Sequence, residues 1–334
     1  MAPELWTIRI PETGTAEAQA ARAEQAGWDG IAFTDSQNLI GDPFVAIALA
    51  ARATERLRFA TGVTNAYTRH PAALATVAAT VHEESGGRFV LGIGRGDTAL
   101  FHLGRKPMPT ADFFRRVTDL QTYLSKGTVD CDGRPSRLRW LDRARQTKVM
   151  LDVASSGPKV IAFAARTAER VTLAIGADPA RVKWAVDLIR AESATTSIGA
   201  YLTVGCHPDP ATARELIRGG VAAFAHFSSM PGSTGAGLDD RDRDVVAEVG
   251  RQYDSNLHLV NAAPHADALD DDFIDRFAVT GPPEACVERL LELGRLGVER
   301  FVITGPSFGA DRDHARLAER LVRDEVLPAV RAAS

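Results

Sequence analysis

Short apolar runs alternate with longer alanine-rich segments along the whole chain. The short runs are rich in β-branched residues and predict buried strands, whereas the longer segments carry apolar residues at helical spacing. The predicted strands are Leu5 to Ile10, Gly30 to Thr34, Arg58 to Thr64, Arg88 to Ile93, Lys148 to Ala154, Arg170 to Ala174, Ile198 to Gly205 and Arg300 to Thr304. The predicted helices are Thr15 to Ala26, Pro43 to Thr54, Pro71 to Glu84, Phe113 to Ser125, Pro158 to Ala168, Pro179 to Ser193, Pro210 to Phe227, Pro283 to Leu293 and Asp311 to Val330.

This alternation predicts an α/β protein with a (β/α)8 TIM barrel. Strands that alternate with helices are parallel and are joined by right-handed crossovers, and eight such units close a barrel. A doubly wound open sheet is the alternative. It would need a phosphate loop after the first strand, and residues 10–14 match neither G-x-G-x-x-G nor the P-loop. We predict a single domain over residues 1–334, with insertions near 99–112, 127–147 and 228–275.

Composition and charge exclude several classes of protein. The formal net charge is -4, whereas a general nucleic-acid binder would show a basic surplus. No apolar stretch approaches the roughly 20 residues that span a bilayer, and the first residues lack the basic and apolar regions of a signal peptide. The three cysteines lie far apart and predict neither a disulfide framework nor a metal site: Cys131, Cys206 and Cys286. We therefore expect a cytoplasmic protein that acts on a small molecule and holds no metal.

Two strand exits have the composition of an anion site. In a barrel, chemistry takes place at the carboxyl ends of the strands, on the loops that follow them. The loops after the fifth and sixth predicted strands combine small residues with a helix start, where backbone N–H groups and the helix dipole attract anions. Their residues are Ser155, Ser156 and Gly157, and Gly176 and Ala177. Each loop taken alone is also compatible with a simple short connection, and together they could hold one phosphate.

Three segments resemble one enzyme superfamily. They are Gly62 to Pro71, Gly87 to Asp97 and Ser156 to Lys159, and they resemble the bacterial-luciferase-like superfamily. Within it, the likeness is greatest to the branch that contains methylenetetrahydromethanopterin reductase and other enzymes of coenzyme F420, a deazaflavin. The likeness extends over essentially the whole chain.

The resemblance implies where a flavin or deazaflavin would bind. The ring enters at the carboxyl end of the barrel, against a bulge with a non-prolyl cis peptide within Gly62 to Thr64. The residues Gly62, Val63, Thr64 and Asn65 would contact the ring, and the two anion loops would hold the cofactor phosphate. Glycines at 157 and 176 would let the backbone approach closely. Members of the superfamily are commonly homodimers.

Two aspartates are candidate catalytic residues. Asp97 ends the fourth strand, where a carboxylate can hydrogen-bond a flavin edge or deliver a proton, and Asp35 follows the second strand. The alternative for either is a loop aspartate that bonds backbone N–H groups. The glycines of Gly92-x-Gly94-x-Gly96 do not form the dinucleotide fingerprint and would let a ring or another backbone approach.

The leading hypothesis is a coenzyme F420-dependent oxidoreductase that moves a hydride between the deazaflavin and an unidentified small organic substrate. The first alternative is a reduced-FMN-dependent monooxygenase on the same barrel. The second is a cofactor-free binding protein on a degenerate barrel. This chain has Ser36 where some deazaflavin dehydrogenases have histidine, and Ala66 where the reductase branch often has proline. These departures argue against assigning the substrate of any relative.

Overall fold

A computed structural model describes residues 2–233 and 235–333. The strands are β1 (Glu4–Arg9), β2 (Gly30–Phe33), β3 (Arg58–Thr61), β4 (Thr64–Asn65), β5 (Phe89–Gly94), β6 (Val129–Cys131), β7 (Arg134–Ser136), β8 (Met150–Ser155), β9 (Arg170–Leu173), β10 (Ser197–Cys206), β11 (Val279–Gly281) and β12 (Arg300–Thr304). The α-helices are α1 (Ala16–Gln25), α2 (Pro43–Arg52), α3 (Pro71–Glu84), α4 (Thr98–Phe101), α5 (Thr110–Leu124), α6 (Pro158–Thr167), α7 (Pro179–Glu192), α8 (Pro210–Ser229), α9 (Asp240–Gln252), α10 (Asp271–Phe277), α11 (Pro283–Arg295), α12 (Arg312–Leu321) and α13 (Leu327–Ala332).

Eight strands form a closed parallel ring in the order β1, β2, β3, β5, β8, β9, β10, β12. The predicted (β/α)8 barrel is therefore confirmed. β11 pairs with β10 outside this ring. β4 pairs with β5 in parallel, as β3 does at an earlier part of β5. No helix among the described residues is long and apolar enough to cross a membrane.

The contacts within the chain define two compact units. The first consists of Met1–Trp6, Ser155–Ala165 and Val171–Ser334, and the second of Thr7–Ala154 and Arg166–Arg170. In the second unit, parallel pairing joins β2 to β3, β3 to β5 and β5 to β8. In the first unit, β10 pairs with β11 on one side and β12 on the other.

Several helices begin with an aspartate followed by a proline. The aspartate side chain accepts a hydrogen bond from an N–H group in the first turn, and the proline occupies a position whose N–H would have no partner within the helix. These aspartates are Asp42 before α2, Asp178 before α7 and Asp209 before α8. The predicted start of α2 at Pro43 is confirmed.

The structure differs from the predicted elements in several places. The third predicted strand, Arg58 to Thr64, is interrupted between β3 and β4. The segment 228–275 contains α9 and the start of α10, whose acidic first turns look like solvated charge runs in the sequence. The last predicted helix, Asp311 to Val330, is not continuous, because Val322–Val326 forms a π-helix between α12 and α13.

The carboxylate of Glu24 anchors the turn that leads into β3. Its oxygens accept hydrogen bonds from the backbone N–H groups of Arg56, at 2.6 Å, of Leu57, at 2.8 Å, and of Glu55. Burial would raise the pKa of Glu24, but these N–H groups outweigh it and hold the pKa below its ordinary value.

We expect Glu24→Gln to lower the free energy of unfolding by about 1 kcal/mol at pH 7, because the amide accepts these bonds less strongly. A carboxylate with a lowered folded-state pKa stabilises the fold above its unfolded pKa, and this contribution is lost as pH falls through the folded pKa. The difference between variant and wild type should therefore shrink below about pH 4.5. Urea denaturation across pH measures it, with Glu12→Gln, an exposed glutamate, as the control. A difference that does not change with pH would contradict the assignment.

Candidate active site

The backbone turns sharply where the third strand is interrupted. The peptide bond between Gly62 and Val63 is cis, which confirms the prediction of a non-prolyl cis bond within Gly62 to Thr64. The N–H of Gly62 donates to the carbonyl of Phe33 at 2.7 Å, which ties the turn to β2. Gly62 and Val63 are partly exposed, whereas Thr64 and Asn65 are buried. The turn therefore presents a small apolar surface next to two buried polar side chains.

Close approach explains the glycines of β5 and of the loop after it. A Cβ at Gly92 would lie 2.0 Å from the carbonyl oxygen of Thr61, so the backbone of β3 occupies that place. A Cβ at Gly94 would lie 3.0 Å from the side chain of Val63. The approach of another backbone, one of the two alternatives that the sequence left open, is thus seen at Gly92, whereas a side chain approaches Gly94.

Asp35 lies at the centre of a buried hydrogen-bond network. Its Oδ2 accepts from the hydroxyl of Thr64 at 2.6 Å and from Nη1 of Arg69 at 2.7 Å. Nη2 of Arg69 bonds the carboxylate of Asp42 at 2.5 Å. Burial alone would lower the pKa of Arg69, but the two carboxylates outweigh it and raise the pKa above its ordinary value. Asp35 therefore joins the loop after β2 to the loop after β4.

Asn65 supports the loop that follows β4. Its Oδ1 accepts from the N–H groups of Tyr67, at 3.1 Å, and Thr68, at 3.0 Å. Its side chain is also close to the next strand exit, since a Cβ placed on Gly96 would lie 3.4 Å from the Cβ of Asn65. The structure thus brings the exits of β4 and β5 together within the second unit.

Asp97 occupies the position before α4 and is partly exposed. Its carbonyl accepts from the N–H of Leu100 at 3.0 Å and of Phe101 at 2.8 Å, while its carboxylate does not cap the helix. The loop before it is held by Arg95, whose Nε donates to the carbonyl of Met108 at 2.8 Å. Burial lowers the pKa of Arg95. The N-cap alternative for the Asp97 side chain therefore finds no support in the geometry.

The loop after β8, one of the two predicted anion loops, packs against a segment distant in the chain. Ser155 and Gly157 are buried, and α6 begins directly after Gly157. The hydroxyl of Ser156 contacts the hydroxyl of Ser233 at 2.8 Å. A Cβ at Gly157 would lie 2.3 Å from the carbonyl oxygen of Gly232. The close approach predicted at Gly157 is made by the chain's own backbone.

In the loop after β9, one of the backbone N–H groups is already hydrogen-bonded within the protein. The N–H of Ala177 donates to the carbonyl of Phe277 at 2.8 Å, so this group is already bonded. Gly176 has a φ of +84°, and a Cβ there would lie 2.7 Å from the same carbonyl oxygen. Substitution of Gly176 would therefore disturb the fold as well as any ligand site.

A buried guanidinium beside this loop has no signal in the sequence. Arg181 is 0% exposed, and its Nη1 donates to the carbonyl of Ile175 at 2.8 Å and to the hydroxyl of Ser228 at 2.9 Å. Its Nε donates to the carbonyl of Ala236 at 3.1 Å. Burial lowers the pKa of Arg181 to about 10. The group adds positive charge next to the two anion loops.

No cluster of three or more His, Cys, Asp or Glu side chains in the described ranges could hold a metal ion.

We expect Asp35→Asn to lower the free energy of unfolding by about 3 kcal/mol, because it leaves the half-buried Arg69 without its buried counter-charge. Asp42→Asn is the matched control, since Asp42 is an exposed partner of the same arginine and asparagine is also a good N-cap. Urea denaturation should show a loss below about 1 kcal/mol for the control. Equal losses of unfolding free energy for the two variants would show that the ion pair with buried Asp35 stabilises the fold no more than the ion pair with exposed Asp42.

Comparison with known proteins identifies the family to which this chain belongs. A family model described as luciferase-like monooxygenase matches residues 7–300. The 5,10-methylenetetrahydromethanopterin reductase of Methanopyrus kandleri is 28% identical over 311 residues, which cover 84% of this chain and 85% of that one.

Solved structures share the fold at lower identity. An F420-dependent secondary alcohol dehydrogenase in complex with an F420-acetone adduct has a TM-score of 0.73 at 18% identity and covers 99% of both chains. The oxygenating constituent of 3,6-diketocamphane monooxygenase from the CAM plasmid of Pseudomonas putida, in complex with FMN, has a TM-score of 0.66 at 17% identity. The match covers 98% of this chain and 99% of that one. The chain belongs to the luciferase-like monooxygenase family, and its relatives are consistent with the F420-dependent branch of that superfamily.

Proposed function

We propose that the protein is an oxidoreductase that uses coenzyme F420 to move a hydride to or from a small organic substrate. The observation that carries this proposal is the likeness to methylenetetrahydromethanopterin reductase over 84% of the chain. A matched monooxygenase, the 4-hydroxyprotoasukamycin monooxygenase of Streptomyces nodosus subsp. asukaensis, covers only 33% of it.

The residues at the strand exits fit a phosphate-bearing cofactor. The N–H groups of Ser156 and Gly157 at the start of α6 would bind the phosphate, because a helix N-terminus attracts anions. Ser155 completes this loop, and Gly176 and Ala177 would shape the second one. At the other exits, the partly exposed Gly62 and Val63 would face the ring, with Thr64 and Asn65 holding the backbone behind them.

When bound, the deazaflavin supplies a carbon, C5, that accepts or gives a hydride. In the oxidation of an alcohol, the hydride leaves the carbon and the hydroxyl proton must pass to a base, and in reduction the proton returns. Asp97 is our candidate for this base and acid, because it stands at the exit of β5 and its side chain does not cap α4. Asp35 bonds Arg69 and Thr64, so we propose that it positions the neighbouring loops.

A reduced-FMN-dependent monooxygenase is the second candidate function. The FMN complex that shares this fold supports it, and an FMN phosphate would suit the same loops.

We also propose a cytoplasmic homodimer. The exposed Val45 and Leu49 on α2, a helix with no charged side chain before Arg52, support the assembly.

Titration of the purified protein with F420 and with FMN, followed by fluorescence quenching, separates these functions. We expect tight binding of F420 and weak binding of FMN. The reverse order would favour the monooxygenase, and binding of neither would favour a cofactor-free binding protein.

We expect Asp97→Asn to lower turnover by about 10²–10⁴-fold with cofactor affinity little changed, since the amide keeps the shape but cannot transfer the proton. Steady-state kinetics and the same quenching titration measure the two effects. Asp112→Asn, a surface aspartate on α5, is the control. Loss of affinity with a normal rate per bound cofactor would make Asp97 a binding residue, and no change in either would leave it a loop residue.

A further inference from the structure

Exposed apolar side chains are concentrated at the strand exits of one unit. Among the described residues, eight large apolar side chains are strongly exposed, and four of them lie on the loops that follow β2, β4 and β5. We call these four the apolar rim: Leu39, Tyr67, Phe101 and Leu103, which are 54%, 42%, 43% and 41% exposed. An exposed apolar patch on a folded protein usually marks a binding surface.

Hydrogen bonds join the loops that carry the rim. Nε2 of Gln37 donates to the carbonyl of Ala99 at 2.8 Å, and Nδ2 of Asn38 donates to the carbonyl of His102 at 2.7 Å. The loop after β2 is thereby fixed against α4. Because these hydrogen bonds hold the two segments together, the apolar side chains that they carry have fixed positions on the surface.

Two of the four rim residues are hydrogen-bonded to candidate site residues. The N–H of Phe101 donates to the carbonyl of Asp97 at 2.8 Å, and the N–H of Tyr67 donates to Oδ1 of Asn65 at 3.1 Å. Leu39 lies four residues after Asp35 on the same loop. The rim therefore borders the polar groups of this unit at the carboxyl ends of its strands, where barrel enzymes bind their substrates.

We propose that the organic substrate has a large apolar part that packs on the apolar rim. This rests on the proposed function, since the rim is taken to border the reacting groups. An apolar body bound there would cover surface that is now exposed to water.

A second copy of this chain is the other occupant that an apolar surface suggests. The position of the rim beside Asp97 and Asn65 favours the substrate. The other exposed pair, Val45 and Leu49, stands on the outer helix α2 and is separate from these loops in sequence.

The test uses the uncharged fluorescent probe N-phenyl-1-naphthylamine with the protein free of cofactor. We expect saturable binding, displacement by decan-2-one, and an affinity for 2-alkanones that rises about two- to fourfold per added methylene. Phe101→Ser and Leu103→Ser should each weaken probe binding by about fivefold. Trp140→Ser is the matched control, because Trp140 is 38% exposed but lies in the segment between β7 and β8, outside the segments that carry the rim. This variant should bind the probe as wild type does.

Three results would overturn the proposal. The first is no probe binding, and the second is binding that is unaffected by Phe101→Ser or equally weakened by Trp140→Ser. The third is a wild-type dimer that Phe101→Ser converts to a monomer in sedimentation, which would make the rim an interface between copies. The probe requires no deazaflavin, so a failed F420 titration with an intact probe result would reject the proposed function and keep the apolar surface.

Discussion

One buried carboxylate, that of Asp35, determines how two strand exits of the barrel are arranged. Removing a carboxylate from water is costly, and only a counter-charge and full hydrogen bonding offset the cost. Arg69 and Thr64 supply both, so the loop after β2 and the loop after β4 cannot move independently. Arg69 also bonds Asp42, which caps α2. The arrangement of these two strand exits is thus coupled to the start of an outer helix through a single guanidinium.

The barrel was predictable because its strands are short apolar runs and several of its helices have a clear start. The N-cap and proline at Asp42 and Pro43 give the start of α2 directly, and the structure confirms it. The elements that were missed have weaker local signals. α9 and α10 begin in acidic runs that resemble solvated surface, and their first aspartates prove to be N-caps, Asp239 and Asp270.

Part of the candidate site could not be predicted from sequence, because it depends on contacts distant in the chain. Arg181 lies in the first turn of α7, where arginines are ordinarily exposed. It is buried because the segment around Ser228 and Ala236 folds onto it, and no local pattern indicates that. The glycines at 157 and 176 were recognised as points of close approach, but the neighbours that approach them, Gly232 and Phe277, come from two other distant parts of the chain.

The π-helix near the C-terminus has a consequence for the spacing of core residues. The buried residues Ala318, Val322, Val326 and Val330 recur every four positions. In a regular α-helix of 3.6 residues per turn, such a row drifts around the axis by roughly 40° at each step and soon leaves the core. The wider turn of the π-helix at Val322–Val326 compensates for this rotation, so the buried residues stay on one side of the helix. The chain thus accommodates an extra residue inside its last helix, and an insertion that would ordinarily rotate the final apolar side chains into water is absorbed by the backbone.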